Sequence, residues 1–195
     1  LDLQKGDLGR LNRLMKDKHA SVFEHCVMTF FVKTSLAVRS QWHRHRTQSF
    51  NEYSLRYKEL SEDEEPEFYI PDAEHLRMKV GKTMDFTFTS LDSPEQVEEV
   101  QKAFVIIYEG SYEMYIHLVE LGIAPEQARL VIPVGFMTRF YATANLRNWF
   151  NFLVLRNAPP AMMEIRELAE DIEEHISQVF PETYKAWVAN GRPQL

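Results

Sequence analysis

The chain has 195 residues and a formal net charge of −7 at neutral pH. This length can bury a real hydrophobic core, so we predict a single domain over residues 1–195. The acidic balance argues against a general binder of nucleic acid or of anionic membranes, because such proteins carry broad basic surfaces. Any site for an anion must therefore be local.

The chain contains one cysteine, Cys26, in the apolar run CVMTFFV. One cysteine excludes an internal disulfide, and we expect a small buried residue in a reducing compartment. The sequence offers no apolar run of the ~20 residues that span a bilayer and no signal-peptide pattern at its N-terminus. We therefore predict a cytoplasmic protein without a membrane partner.

The first half of the chain alternates between helical and strand patterns. Apolar residues at helical spacing between positions 8 and 15 predict a helix, and Ser21 is expected to cap a short turn. Residues 26–33 are rich in β-branched and aromatic side chains and predict a strand, followed by a helix that starts near Ser35. The acidic stretch 60–71 predicts a solvated loop that ends in a short strand.

The clearest helix signal begins at Ser93. Ser93 stands at the N-cap, Pro94 at the first helical position, Gln96 three residues after the cap, and Gly122 at the stop. The apolar positions between them continue for some seven turns. This length suggests that the helix also packs against another subunit.

The last third of the chain again alternates between helical and strand patterns. A helical start at Pro125 precedes a strand-like stretch over 134–144, and helical patterns cover 145–156 and 160–177. The mixture predicts an α+β or α/β layer structure.

A basic cluster stands in HRHRTQSFNEYSLRY, residues 43–57. From residue 39 to residue 58 there are five Arg or Lys and one acid, Glu52, a net charge of +4. One interpretation is a solvated helix C-terminus, where each cation gains ~0.3–1 kcal/mol from the helix dipole. The other is an anion site, because Arg44 and Arg46 repel one another and guanidinium groups suit phosphate oxygens. The hydroxyl, amide and carboxylate groups that follow suit a ribose and a base edge, which favours a nucleotide site.

A specific motif lies in the same segment. Arg44, His45 and Arg46, followed after seven residues by Ser54, reproduce the R-H-R-x7-S signature of the flavin-dependent thymidylate synthases. The segments HASVFEH, FYIP, PEQARLVIP and TRFYATANLRNWFNFLVLR also resemble segments of that family, in the same order. The chain is therefore identified as a member of this family by a resemblance over residues 10–180.

The resemblance implies an enzyme that makes dTMP from dUMP. The methylene group would come from 5,10-methylenetetrahydrofolate, and the reducing equivalents from NADPH through bound FAD. The implied fold is α+β, with a central, mostly antiparallel sheet flanked by long helices. The implied assembly is a homotetramer with active sites between subunits, and neither nucleic acid nor a metal is expected as a partner.

The resemblance also implies the site residues, position by position. The implied FAD contacts are Ser21, Arg44, His45, Arg46, Glu52, Asn145, Leu146, Arg147 and Asn151. The implied dUMP contacts are Gln41, Arg44, Glu52, Tyr53, Ser54, Leu55, Arg56, Arg129 and Arg156. Among these, Ser54 and Arg56 would hold the phosphate, and Arg129 would come from a neighbouring chain. Arg156 is the implied catalytic residue, because the family's arginine there favours ionisation of the pyrimidine at N3.

The chemistry itself agrees with this role for Arg156. Methylation at C5 needs electron density on the ring, and a permanently charged guanidinium beside N3 stabilises the anionic form. The alternative is an arginine that merely closes a helix. His45 could be a proton shuttle or a metal ligand, but no second histidine stands four residues away, so we favour stacking or hydrogen bonding at the flavin. Ser54 is expected to bind rather than to act as a nucleophile.

Two features depart from the family pattern. The segment before the first helix is shorter than is usual in the family, and Pro160 replaces a histidine that is common there. Two functions of other classes stay open. A nucleotide-binding regulatory module would keep the arginine site without a flavin, and an RNA-binding domain would need many phosphate contacts and would show a steep salt dependence.

Overall fold

The computed structural model describes residues 4–54, 66–82 and 85–195, apart from the side chains of Lys5, Asp85 and Phe86. In chain order the elements are α1 (Lys5–Lys16), a 3-10 turn (Ala20–Phe23), β1 (Val27–Ser35), α2 (Leu36–Trp42), β2 (Ser49–Glu52), β3 (Arg77–Lys82), β4 (Asp85–Ser90), α3 (Pro94–Glu120), α4 (Pro125–Ala128), a second 3-10 turn (Arg129–Val131), β5 (Met137–Asn145), α5 (Leu146–Arg156), α6 (Met163–Val179) and α7 (Pro181–Ala189). The predicted α+β class is confirmed.

The strands form two small sheets. One has three strands in the order β1–β5–β2. The other is the antiparallel pair β3–β4, whose register runs from Arg77 opposite Ser90 to Lys82 opposite Asp85. No helix within the described ranges is long and apolar enough to cross a membrane.

The chain divides into two compact units. The first contains Leu1–Val32, Trp42–Asn51 and Tyr141–Leu195, and the second contains Lys33–Gln41 and Glu52–Phe140. The expected single domain stays a prediction.

Aromatic side chains form the core of the first unit. Trp42, Trp149 and Phe152 are completely buried, and their ring centroids lie 4.5 to 6.5 Å apart. Phe150, on the same helix as Trp149, stacks on Trp187 of α7 at 4.6 Å. Burying each such ring stabilises the fold by roughly 1.5–3 kcal/mol. The core therefore fixes α5, the helix that ends at the predicted catalytic residue.

A buried carboxylate joins three segments of the first unit. Glu173 on α6 is 8 % exposed. Its oxygens accept hydrogen bonds from the side-chain amide of Asn157 at 2.5 Å and from the hydroxyl of Tyr184 at 2.7 Å. The guanidinium of Arg192 lies 2.7 Å from Oε1 and donates to Oε2 at 3.1 Å. The charge of Glu173 is thus paired and hydrogen-bonded, as burial requires.

In the second unit, the core includes a tyrosine that lies close to a glycine. Tyr108 of α3 donates its hydroxyl to the carbonyl of Tyr69 at 3.0 Å, and its ring stacks on Phe68 at 4.7 Å. Phe68 forms an isolated β-bridge with Phe136. A Cβ atom at Gly135 would lie 2.1 Å from the Tyr108 hydroxyl, so this position admits no side chain.

The long helix is confirmed with the predicted ends. The Ser93 hydroxyl accepts a hydrogen bond from the amide of Gln96 at 3.3 Å, and Pro94 is the first helical residue. The helix ends at Glu120, and Gly122 takes a φ of +83°, which favours glycine.

Other boundaries differ from the prediction. Ser21 does not cap its turn, because it lies inside the turn. The N-cap residue is His19, which makes no side-chain cap bond. The pattern SLAVRSQWHRH predicts a helix over residues 35–45, but the helix ends at Trp42. The short strand expected before residue 71 is reduced to the bridge at Phe68.

Candidate functional site

The motif residues Arg44, His45 and Arg46 form a tight turn after α2, here called the arginine turn. The amide of His45 donates to the carbonyl of Trp42 at 3.0 Å, and the amide of Gln48 donates to the carbonyl of His45 at 3.2 Å. The buried indole N–H of Trp42 donates to Oε1 of Gln48 at 2.9 Å. These bonds tie the turn to the core and leave the side chains of Arg44 and Arg46 exposed.

The structure joins the arginine turn to the predicted catalytic residue. Nε of Arg156 donates to Nε2 of His45 at 2.8 Å. Because Nε2 accepts, the neutral ring carries its proton on Nδ1. Burial, and then the positive charge of Arg156, lower the pKa of His45 to about 4. His45 is therefore neutral at pH 7 and accepts a hydrogen bond from Arg156.

Positive charge is concentrated around this bond. Burial and repulsion from Arg44 lower the pKa of Arg156, although a guanidinium stays protonated at neutral pH. Within the ranges that the structure describes, neither Arg44 nor Arg46 forms an ion pair with a carboxylate. Repulsion of this kind is relieved by an anion, and planar guanidinium groups suit phosphate oxygens. The first unit thus fits a phosphorylated ligand such as a flavin nucleotide.

The start of α5 lies against the arginine turn. The side-chain oxygen of Asn145 caps the helix by accepting from the amide of Asn148 at 3.0 Å, and the side-chain amide of Asn148 donates to the carbonyl of Thr47 at 3.2 Å. Leu146 is buried, and its amide donates to the carbonyl of Cys26 at 2.8 Å. Among the implied flavin contacts, Asn145 and Leu146 therefore also hold local structure together.

Two other implied flavin contacts bind the backbone of Leu195. The side-chain amide of Asn151 donates to the carbonyl of Leu195 at 2.8 Å, and its oxygen accepts from the Leu195 amide at 2.7 Å. Arg147 donates to the same carbonyl at 3.2 Å and also pairs with Glu24. A ligand that bound through Arg147 and Asn151 would have to replace Leu195. Ser21 is exposed on its turn.

The second unit contains a cavity of about 370 Å³ that collects predicted substrate residues. It is lined by Leu36, Arg39, Glu52, Tyr53, Ser54, Arg129, Leu130, Ile132, Phe136 and Thr138. Two arginines and one glutamate give its lining a net positive charge, which suits an anion.

The cavity brings together four of the residues implied for dUMP, namely Glu52, Tyr53, Ser54 and Arg129. Arg129 lines the cavity of its own chain, and its contribution from a neighbouring chain stays a prediction. Gln41 lies on α2 and is not among the lining residues. Leu55 and Arg56 lie outside the described residues.

Two lining residues were not predicted. Oε1 of Glu52 accepts a hydrogen bond from Nε of Arg39 at 2.9 Å and another from the hydroxyl of Thr138 at 2.7 Å. In the sequence, Arg39 stands out only as part of the basic window of residues 39–58, and Thr138 does not stand out at all. Both contact Glu52 from other elements, Arg39 from the preceding helix and Thr138 from a strand 86 residues away along the chain.

Comparison with known proteins gives consistent matches. The family model of the thymidylate synthase complementing protein matches residues 3–182. A flavin-dependent thymidylate synthase from Thermosipho melanesiensis is 40% identical over 178 residues, which are 90% of this chain and 73% of the relative. The Streptomyces coelicolor protein of that name is 38% identical over 192 residues, which are 94% of this chain and 76% of the relative.

A solved structure is similar over the whole chain. The UMP/dUMP methylase PolB from Streptomyces cacaoi, bound with 5-Br dUMP, superposes with a TM-score of 0.88 at 36% identity. The match covers 100% of this chain and 84% of that protein. A second structure of PolB, bound with 5-Br UMP, matches with a TM-score of 0.90.

Proposed function

This chain belongs to the thymidylate synthase complementing protein family, and on that premise we propose that it is a flavin-dependent thymidylate synthase, which makes dTMP from dUMP. The proposal includes FAD as the flavin, NADPH as the reductant and 5,10-methylenetetrahydrofolate as the carbon donor. The observation that carries it is the 2.8 Å bond between His45 of the R-H-R motif and Arg156. This bond joins the family's signature to the arginine assigned to the pyrimidine.

Arg156 is proposed to activate the pyrimidine. Its guanidinium keeps its charge at neutral pH, and a fixed positive charge beside N3 stabilises the anionic ring whose C5 is the nucleophile. His45 supports this role as a neutral hydrogen-bond acceptor, because its pKa of about 4 leaves it unprotonated at pH 7. Holding the guanidinium in advance avoids reorganisation during the reaction.

The cavity of the second unit is proposed to bind dUMP. Its guanidinium and hydroxyl groups, on Arg129 and Ser54, are suited to the phosphate. The carboxylate of Glu52 can only accept hydrogen bonds, so it suits a donor group of the nucleotide. Gln41, Tyr53, Leu55 and Arg56 complete the proposed set of dUMP contacts, together with Arg44 and Arg156.

The arginine turn is proposed to hold the flavin. Arg44 and Arg46 would neutralise the pyrophosphate, and His45 would contact the cofactor while it orients Arg156. The remaining proposed contacts are Ser21, Glu52, Asn145, Leu146, Arg147 and Asn151. When bound, the flavin supplies the reducing equivalents that convert the transferred methylene group to a methyl group.

We also propose a homotetramer with Arg129 reaching the site of a neighbouring chain. The support is α3, whose 27 residues carry Ile106 and Ile107 with 67% and 60% of their surface exposed. Apolar surface of this kind favours burial against another subunit.

An assay of turnover tests the function. Purified, flavin-loaded protein receives NADPH, methylenetetrahydrofolate and dUMP, and product is measured as dTMP while NADPH oxidation is followed. UMP is tested in parallel, because the similar solved structure is that of a UMP/dUMP methylase. Absence of dTMP from a flavin-loaded sample would refute the proposal.

The role of Arg156 needs its own variant. We expect Arg156→Ala to lower kcat by about 100-fold or more, the usual effect of removing a group that stabilises developing charge. Arg166→Ala, on α6, serves as a control for the loss of an arginine from the same unit. Arg156→Ala with the wild-type rate would refute the assigned role.

A further inference from the structure

We propose that Arg39 is a positioning residue for the nucleotide. Together with Thr138, it holds Glu52 so that the second carboxylate oxygen of Glu52 accepts a hydrogen bond from the sugar hydroxyl of dUMP. The inference rests on the proposed binding of dUMP in the cavity of the second unit.

The geometry separates the two oxygens of Glu52. Oε1 accepts two hydrogen bonds, one from Nε of Arg39 at 2.9 Å and one from the hydroxyl of Thr138 at 2.7 Å. Among the residues that the structure describes, none donates a hydrogen bond to Oε2. All three side chains line the cavity. Oε2 is therefore the oxygen available to a ligand.

Three different elements fix this carboxylate. Arg39 lies on α2, Glu52 ends β2, and Thr138 lies on β5. The terminal torsion of a glutamate is soft, so a single donor would leave the carboxylate free to turn. Two donors from separate elements hold its plane, and one of them is a charge-assisted bond. An acceptor held in advance loses less conformational entropy when the nucleotide binds.

The negative charge of Glu52 limits which group of dUMP its carboxylate can contact. A carboxylate repels the phosphate, which Arg129 and Ser54 are suited to hold. An ionised carboxylate accepts but does not donate, so its partner is an N–H or O–H group. A negative charge beside N3 would oppose ionisation of the pyrimidine. The remaining donor of dUMP is the 3′-hydroxyl of the deoxyribose.

The test compares dUMP with 2′,3′-dideoxy-UMP on the flavin-loaded full chain. Dissociation constants are measured by calorimetry for the wild type and for Glu52→Gln, Arg39→Gln and Thr138→Val. We expect the wild type to prefer dUMP about tenfold, the effect of one hydrogen bond to a charged group. The preference should fall to about threefold or less in each variant, because each disturbs the same acceptor.

Two measurements separate positioning from a general structural role. Thr138→Val changes no charge, and in the Glu52→Gln background it should have no further effect on dUMP affinity. Arg39→Gln should raise the KM for dUMP while kcat and the KM for NADPH change little. Arg139→Gln is the matched control, because it breaks another arginine–glutamate pair of the same unit, with Glu67, outside the cavity.

The outcomes distinguish the inference from the function on which it rests. If the wild type binds dUMP but does not discriminate against the dideoxy analogue, or if Arg39→Gln and Thr138→Val both keep the full preference, the inference is overturned. If the part of the dUMP affinity that depends on Glu52 is lost with N3-methyl-dUMP rather than with the dideoxy analogue, the contact lies at N3. This result would also overturn the inference. A wild type that binds no dUMP refutes the proposed function itself.

Discussion

Replacing Gly135 by alanine should destabilise the second unit through a single steric conflict. The added Cβ would lie 2.1 Å from the hydroxyl oxygen of Tyr108 and 2.5 Å from its Cζ. Gly135 is not among the glycines with positive φ in the described ranges, so an alanine adds no backbone strain there. The cost comes from displacing a ring that is 7% exposed.

The magnitude follows from what Tyr108 must give up. Forcing an extra methyl group into a filled core costs about 1–3 kcal/mol. Losing the hydrogen bond from Tyr108 to the carbonyl of Tyr69 adds about 1 kcal/mol. We therefore expect Gly135→Ala to lower the free energy of unfolding by roughly 2–4 kcal/mol.

Urea unfolding followed by circular dichroism measures this change. Gly110→Ala is the matched control, because nothing lies within 4 Å of the Cβ that it adds to α3. Alanine inside a helix should raise the free energy of unfolding by about 0.5–1 kcal/mol relative to glycine. Tyr108→Phe in the Gly135→Ala background should recover part of the loss. If the Gly135→Ala and wild-type proteins unfold at the same urea concentration, the steric reasoning is wrong.

Three further changes have defined outcomes. In NMR, His45 should titrate near pH 4. Because this histidine takes up its proton at a higher pH in the unfolded chain, the free energy of unfolding should fall as the pH drops from about 6.5 to 4. The His45→Gln variant should lack this part of the pH dependence of stability. Ser93→Ala should cost about 1 kcal/mol of stability in urea unfolding, since it removes the N-cap of α3, and an unchanged midpoint would contradict the role of the cap. Truncating the protein after Pro193 should tighten flavin binding, measured by fluorescence quenching, because it frees Arg147 and Asn151 from Leu195. Unchanged affinity would argue against flavin contacts through that pair.

Elements set by local signals were predictable from the sequence. The ends of α3 follow from Ser93, Pro94 and Gly122, each of which acts on its own neighbours in the chain. The strand-like composition of residues 26–33 and 134–144 also predicted β1 and β5. The hairpin β3–β4 was missed, although the run DFTFTS over 85–90 carries the period of two that is typical of a strand.

The candidate site was predictable only in part. The R-H-R-x7-S motif and the ordered family segments identified the arginine turn, Arg156 and four residues of the cavity. They did not identify Arg39 and Thr138, because the partners of Glu52 are set by the packing of α2 and β5. The neutral state of His45 was also not predictable, since it depends on burial and on Arg156.

The hydrogen bonds of the Glu173 carboxylate couple the end of α5 to α7 when the first unit unfolds. The carboxylate holds Asn157, the residue after Arg156, together with Tyr184 inside α7 and Arg192 just after that helix. Local opening of α7 would therefore release the end of α5 before the whole unit unfolds. Amide exchange in the last turn of α5 should then follow that of α7, so that heat or mild denaturant displaces Arg156, the proposed catalytic residue, before the whole unit unfolds.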